Sequence, residues 1–256
     1  QISQCFQEPF EVQGERHSIT ATMGVALYPQ SGLDADTLLR NADIAMYRAK
    51  EQGRNTYQFY MEGMQDREVM RLELDKDLSQ ALANDEFILY YQPQLDLDTN
   101  EVTSVEALIR WQHPRRGLLA PCEFIPLAEE SGRITEIGRW VVLAACRQLA
   151  RWKGTPCENL RIAVNLSGRE LDDESLVAHI RDTLLAEQVN PAMLEVELTE
   201  EIFIQNIEHN LNQLRQLHQL GVHLAIDDFG VGYSSLGYLR DFPVDMLKID
   251  RSFITE

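Results

Sequence analysis

The sequence has no long apolar run. Its longest, from Val141 to Cys146, falls far short of the roughly twenty residues that a membrane-spanning helix needs. The first residues show no signal-peptide pattern. Cysteine is scarce, and Cys5, Cys122, Cys146 and Cys157 form no Cys-x-x-Cys pair. The six histidines show no zinc spacing. Isolated thiols of this kind fit a reducing compartment, so the expected location is the cytoplasm. Positive charge is sparse too, with 23 Lys and Arg against 41 Asp and Glu and a net charge of −18 over 256 residues. Residues 1–60 hold five basic and seven acidic side chains, so most of the imbalance lies beyond them. An acidic surface disfavours duplex nucleic acid and anionic membrane as partners. It leaves room for a small phosphorylated ligand where metal ions supply positive charge.

The pattern that is present alternates strands and helices. Ile19, Ala21, Met23, Val25 and Leu27 alternate as a strand does. Asp34 or Asp36 caps a helix carrying Leu38, Leu39, Ala42, Ala45, Met46 and Ala49, which Gly53 ends, and Tyr57 to Tyr60 reads as a second strand. Residues 61–84 read as a connecting helix, with Val69, Leu72, Leu78, Ala81 and Leu82 at roughly helical spacing. Residues 85–256 form the next domain. Its predicted strands are Phe87–Leu95, Val102–Trp111, Leu160–Ser167, Leu194–Thr199, Val222–Asp228 and Met246–Asp250. Its predicted helices are Ile134–Trp152, Leu176–Gln188 and Asn206–Leu220. Such alternation favours an α/β fold with a parallel sheet, either a barrel or doubly wound.

Strand parity separates those two. Ser104, Glu106, Leu108 and Arg110 share one face of their strand, and Val105, Ala107, Ile109 and Trp111 the other. Asn165, Glu197, Asp227 and Lys248 fall likewise on the polar face of theirs, towards the C-terminal ends. A TIM barrel places its site there, one residue from each of several strands. A doubly wound sheet has helices on both faces and would bury these charges badly. Two glutamates, an aspartate, an asparagine and a lysine suit a hard metal with oxygen ligands, so Mg²⁺ or Mn²⁺ is expected rather than zinc.

The run Asp227-Asp228-Phe229-Gly230-Val231-Gly232-Tyr233-Ser234-Ser235 adds a paired carboxylate at a strand end. Successive strand side chains point to opposite faces. Asp227 and Asp228 therefore reach one centre only if the backbone turns, which Gly230 and Gly232 permit. The embedded Asp-Phe-Gly is not a kinase signature, because no Gly-rich loop, Val-Ala-Ile-Lys strand or His-Arg-Asp loop accompanies it.

In combination these residues resemble the EAL-domain phosphodiesterases, which hydrolyse cyclic di-GMP. The matching pieces, in order, are Gln92-Pro93, Glu106-Ala107-Leu108-Ile109-Arg110-Trp111, Asn165-Leu166-Ser167, Glu197-Leu198-Thr199-Glu200, the Asp227–Ser235 loop and Lys248-Ile249-Asp250. Residues 1–60 resemble the C-terminal part of a GGDEF, or diguanylate cyclase, domain through Ile19 to Ala26, Ala42 to Lys50 and Gly53-Arg54-Asn55. The resemblance implies a TIM-like (β/α) barrel behind a partial α/β GGDEF domain. It implies a two-metal site of Mg²⁺ or Mn²⁺ held by Glu106, Asn165, Glu197, Asp227 and Asp228. Lys248 would act on the attacking water, and Gln92, Leu108 and Arg110 would contact cyclic di-GMP, which is opened to linear pGpG. It also implies a homodimer through the EAL domain, with the Phe229–Ser235 loop at the contact, and phosphate contacts from Lys50 and Arg54.

Two departures shape the expectation. The Gly-Gly-Asp/Glu-Glu-Phe loop is absent from this sequence, so no cyclase activity is expected in it. Six strands are counted where a closed barrel needs eight. The family's seventh-strand glutamate and eighth-strand glutamine would lie beyond Glu256. The sequence is therefore expected to be a fragment, poorly soluble and of negligible activity alone. Two other readings share part of the pattern: a module that binds cyclic di-GMP or a protein without hydrolysis, and an unrelated metal-dependent barrel such as an aldolase or enolase type.

Overall fold

The structure, a computed structural model, describes residues 10–12, 15–17, 20–51, 55–200, 206–230 and 241–253. The predicted features at Ile19, Gly53, Arg54 and Val231 to Ser235 lie outside them, as does Cys5. The chain divides into two compact units, Gln1–Leu74 and Asp75–Glu256.

In the first unit, β1 (Phe10–Val12) and β2 (Glu15–His17) pair antiparallel. β3 (Met23–Val25) and β4 (Tyr57–Phe59) pair in parallel across α1 (Ala35–Glu51), as a right-sized crossover requires. Asp34 caps α1: its carboxylate accepts the Thr37 N–H at 2.8 Å and the Thr37 hydroxyl at 2.8 Å. Within α1, Ala45 and Ala49 are fully buried. β3 is shorter than its alternation suggests, because the chain turns at Tyr28–Gln30. α2 (Met64–Ala81) lies within residues 61–84, and the division between the two units, after Leu74, falls inside it.

The second unit is built on one sheet, in the order β11-β10-β9-β8-β6-β5, with β7 beside β6. Its strands are β5 (Phe87–Leu95), β6 (Val102–His113), β7 (Gly117–Leu119), β8 (Arg161–Leu166), β9 (Leu194–Thr199), β10 (His223–Phe229) and β11 (Met246–Ile249). Its helices are α3 (Pro121–Glu130), α4 (Ile134–Trp152), α5 (Gly168–Leu171), α6 (Leu176–Ala186) and α7 (Ile207–Leu220). The pairs β6–β8, β8–β9, β9–β10 and β10–β11 are all parallel, while β7 lies antiparallel to β6.

The all-parallel expectation fails at the first strand. β5 runs antiparallel to β6, with Gln92 opposite Glu106 and Tyr90 opposite Leu108. Only residues 96–100 and Glu101 separate the two strands, too few for a crossover helix. Asp96 closes this turn by accepting the N–H groups of Asp98 and Thr99, and Asn100 takes the left-handed conformation at φ 57°. Two further elements escape the sequence pattern. β7 is only three residues long. α3 contains Pro121 in its first turn, where the missing N–H costs nothing, and Pro126 inside.

The apolar faces pack as the parity requires. Val105, Ala107, Ile109 and Trp111 of β6 are buried, as are Ile162, Val164 and Leu166 of β8 and Leu224 and Ile226 of β10. α4 covers β8 with Ile137, Val141, Val142, Ala145 and Leu149, spaced three and four residues apart, while α3 packs on β6 and α7 on β10. Phe87, Trp111 and Phe124 stack at centroid separations of 5.6–5.8 Å. The described cysteines, Cys122, Cys146 and Cys157, are free.

Candidate active site

Parallel registry decides which side chains meet. β6, β8 and β9 align so that Glu106 pairs with Ala163, and Asn165 with Glu197, on the face opposite the helices. Asp227 pairs with Thr199 one step further along. β11 then brings Lys248 into the middle. Its Nζ donates to Glu197 Oε2 at 2.7 Å and to Glu106 Oε2 at 3.4 Å, and lies 3.4 Å from Asp227 Oδ1. Asn165 Nδ2 donates to Glu106 Oε1 at 2.8 Å. Five residues from five strands thus form one constellation.

The constellation is electrostatically tight. Glu197 is fully buried, and burial pushes its carboxyl up to about 7 while Lys248 pulls it back. Burial alone would lower the Lys248 ammonium, but the hydrogen bond and charge of Glu197, with Glu106 and Asp227 behind it, outweigh burial and raise it. Lys248 is therefore charged. Each carboxylate holds the ammonium, and the ammonium keeps the carboxylates from repelling one another.

The Asp227–Asp228 turn arises from a bulge. Between Ile226↔Leu247 and Phe229↔Ile249, β10 uses one more residue than β11. Asp228 takes the left-handed conformation at φ 52°, which Asp tolerates better than most residues, and Gly230 follows at φ 103°. Glu200 steadies the turn by accepting the Gly230 N–H at 3.2 Å. Asp228 is exposed and lies near the charges of Asp227, Asp250 and Lys248. Partial burial, then the charges of Asp227 and Asp250, raise its carboxyl.

The expected substrate contacts lie on the same face. Gln92 is exposed opposite Glu106, and Leu108 sits two positions further along β6. Arg110 follows, its guanidinium over the Tyr90 ring at 5.5 Å. Tyr90 was not among the sequence candidates. Glu195 shares the parity of Glu197 but stands apart from the cluster, 3.7 Å from Arg161.

The fit to a metal can be judged from the donors. Among the described residues, no three His, Cys, Asp or Glu side chains close on one point as metal ligands do. Glu106, Glu197 and Asp227 close on an ammonium instead, at contacts of 2.7–3.4 Å. That spacing is wider than the roughly 2.0–2.1 Å of a Mg²⁺ shell. The donors are nevertheless all oxygens apart from the lysine. Glu197 Oε1 is buried without a hydrogen-bond partner, a cost that a bound cation would relieve. The set fits a hard divalent ion.

Comparison with known proteins identifies both parts of the chain. Residues 75–256 match the EAL domain, and residues 1–56 match the diguanylate cyclase GGDEF domain. The chain is 43% identical over 255 residues to the cyclic di-GMP phosphodiesterase NbdA of Pseudomonas aeruginosa, covering all of this chain and 33% of that protein. It is 43% identical over 249 residues to the bifunctional diguanylate cyclase/cyclic di-GMP phosphodiesterase MucR of the same organism, covering 97% of this chain and 36% of that protein. It thus spans about a third of the length of these curated relatives. Among solved structures, the PaMucR phosphodiesterase in complex with c-di-GMP superimposes with a TM-score of 0.68 at 43% identity, over 71% of this chain and 74% of that one. The chain belongs to the EAL-domain family, and the segment ahead of that domain belongs to a GGDEF domain.

Proposed function

We propose that the protein hydrolyses cyclic di-GMP to linear pGpG, with the second unit forming the wall of a TIM-like barrel. The observation that carries this reading is the convergence of Glu106, Glu197 and Asp227 on Lys248 Nζ, with Asn165 tied to Glu106. Glu106, Asn165, Glu197 and Asp227 would hold Mg²⁺ or Mn²⁺, and Asp228 would join them through the bulged turn. A bound divalent ion supplies a more acidic water and neutralises charge on phosphoryl oxygens.

The chain's own residues do the rest. Lys248 holds a water by hydrogen bond and places it beside the carboxylates, which turn its lone pair towards phosphorus. Arg110 meets phosphate oxygens with a planar two-pronged donor. Gln92 and Leu108 line the floor between them. The buried strands fix all of these side chains on a rigid support, so little reorganisation accompanies the reaction. Residues 61–84 link the two domains, and a homodimer through the EAL domain belongs to the same proposal.

The test is chromatographic detection of pGpG. The complete EAL domain is expected to produce it with Mg²⁺ or Mn²⁺ and to stop in EDTA. Full turnover in metal-free buffer, or binding of cyclic di-GMP with no turnover under any divalent ion, would overturn the reading.

A further inference from the structure

We infer that Tyr90 is a positioning residue that sets the Arg110 guanidinium for an anionic substrate; the inference rests on the reading of the site as one for cyclic di-GMP. The antiparallel entry of β5 places Tyr90 directly opposite Leu108 and diagonal to Arg110. Diagonal neighbours across a strand pair are within reach of long and aromatic side chains. Arg110 Cζ lies 5.5 Å from the Tyr90 ring centroid, and its Nη1 donates to the Ile109 carbonyl at 2.9 Å. Among the described residues, no carboxylate pairs with Arg110, although the chain carries −18. The guanidinium is thus held by a ring face and a carbonyl, neither of which neutralises it.

That arrangement has a chemical purpose. A carboxylate partner would compete with a phosphate for the same donors, whereas an aromatic face attracts the cation and leaves its edge donors open. Ordering a long side chain before binding also removes part of the entropic cost at the moment of binding. Tyr90 itself is 48% exposed, so its ring supports little of the core.

A double-mutant cycle on the protein tests this. Tyr90→Leu is expected to raise KM for cyclic di-GMP roughly threefold to tenfold, with kcat within about twofold, because the ring acts on binding through Arg110. Tyr90→Phe keeps the ring and is expected to hold KM near the starting value. In an Arg110→Ala background, Tyr90→Leu should have no further effect on KM or on the Kd read by calorimetry. An equal rise in that background would mean that Tyr90 meets the substrate directly, and no rise in the single variant would mean that it does nothing; either overturns the inference. Failure of the unmodified protein to bind or hydrolyse cyclic di-GMP would instead overturn the functional reading beneath it.

Discussion

Lys248 works as an internal counter-ion for three carboxylates, one of them fully buried. Lys248→Ala should lower turnover by about a hundredfold or more while leaving substrate affinity within about tenfold. It should also cost about 3–5 kcal/mol in metal-free buffer at pH 8, since Glu197 would be buried without a partner. The deficit should shrink at pH 5, where the carboxyls can fold protonated, and shrink again with Mg²⁺. Thermal melts at both pH values, with and without the ion, check this. Glu170 is a second buried carboxyl, raised to about 7 by burial against the hydrogen bonds of Ser167. Its folded form holds a proton more tightly than the unfolded chain. Stability should therefore fall as pH rises from about 4.5 to about 7 and level off above, by about 3 kcal/mol. Glu170→Gln should flatten that fall, as denaturant titrations at pH 5 and pH 8 would show. Residue parity made Glu106, Asn165, Glu197, Asp227 and Lys248 legible, because period two needs no knowledge of the neighbouring strand. Tyr90 was not legible, because its role depends on which way β5 runs.

At the scale of the element, the strands and long helices of the second unit follow from periodicity, and α4 keeps the predicted bounds. What periodicity cannot supply is strand direction. The β5–β6 reversal is written in a short polar turn, and α3 is written around two prolines that interrupt its pattern. The bulge in β10 was half legible: the glycines announced a turn, but the left-handed residue is Asp228 itself. That gives Asp228 two separable roles. Asp228→Asn keeps a side chain that tolerates positive φ and should leave stability within about 0.5 kcal/mol. It removes one charge and should slow turnover by about tenfold or more. Gly230→Ala should instead cost about 1–3 kcal/mol, because φ is 103° and a Cβ would come within 2.8 Å of the Phe253 ring. Melting curves and rates together distinguish a backbone role from a chemical one.

The whole molecule consists of two units, each with a core of its own. Gly24 lies against α1 so closely that a Cβ would sit 1.9 Å from the Ala42 carbonyl oxygen. Gly24→Ala should unfold the first unit, read as increased proteolysis there, while cyclic di-GMP binding by the second unit persists. Loss of binding would show that the second unit depends on the first. The reversed entry of β5 has a consequence for the order of assembly. Its pairing with β6 closes a loop of a few residues, whereas Lys248 meets Glu106 across 142 positions of chain. Short loops close fast and distant contacts wait. The hairpin carrying Glu106 should thus belong to the folding nucleus and the lysine should arrive last. Stopped-flow kinetics would show Asn100→Val slowing refolding and Lys248→Ala mainly hastening unfolding. The acidic strands would then spend the refolding reaction without their counter-ion, and Mg²⁺ present during refolding should stand in for it and speed the final step.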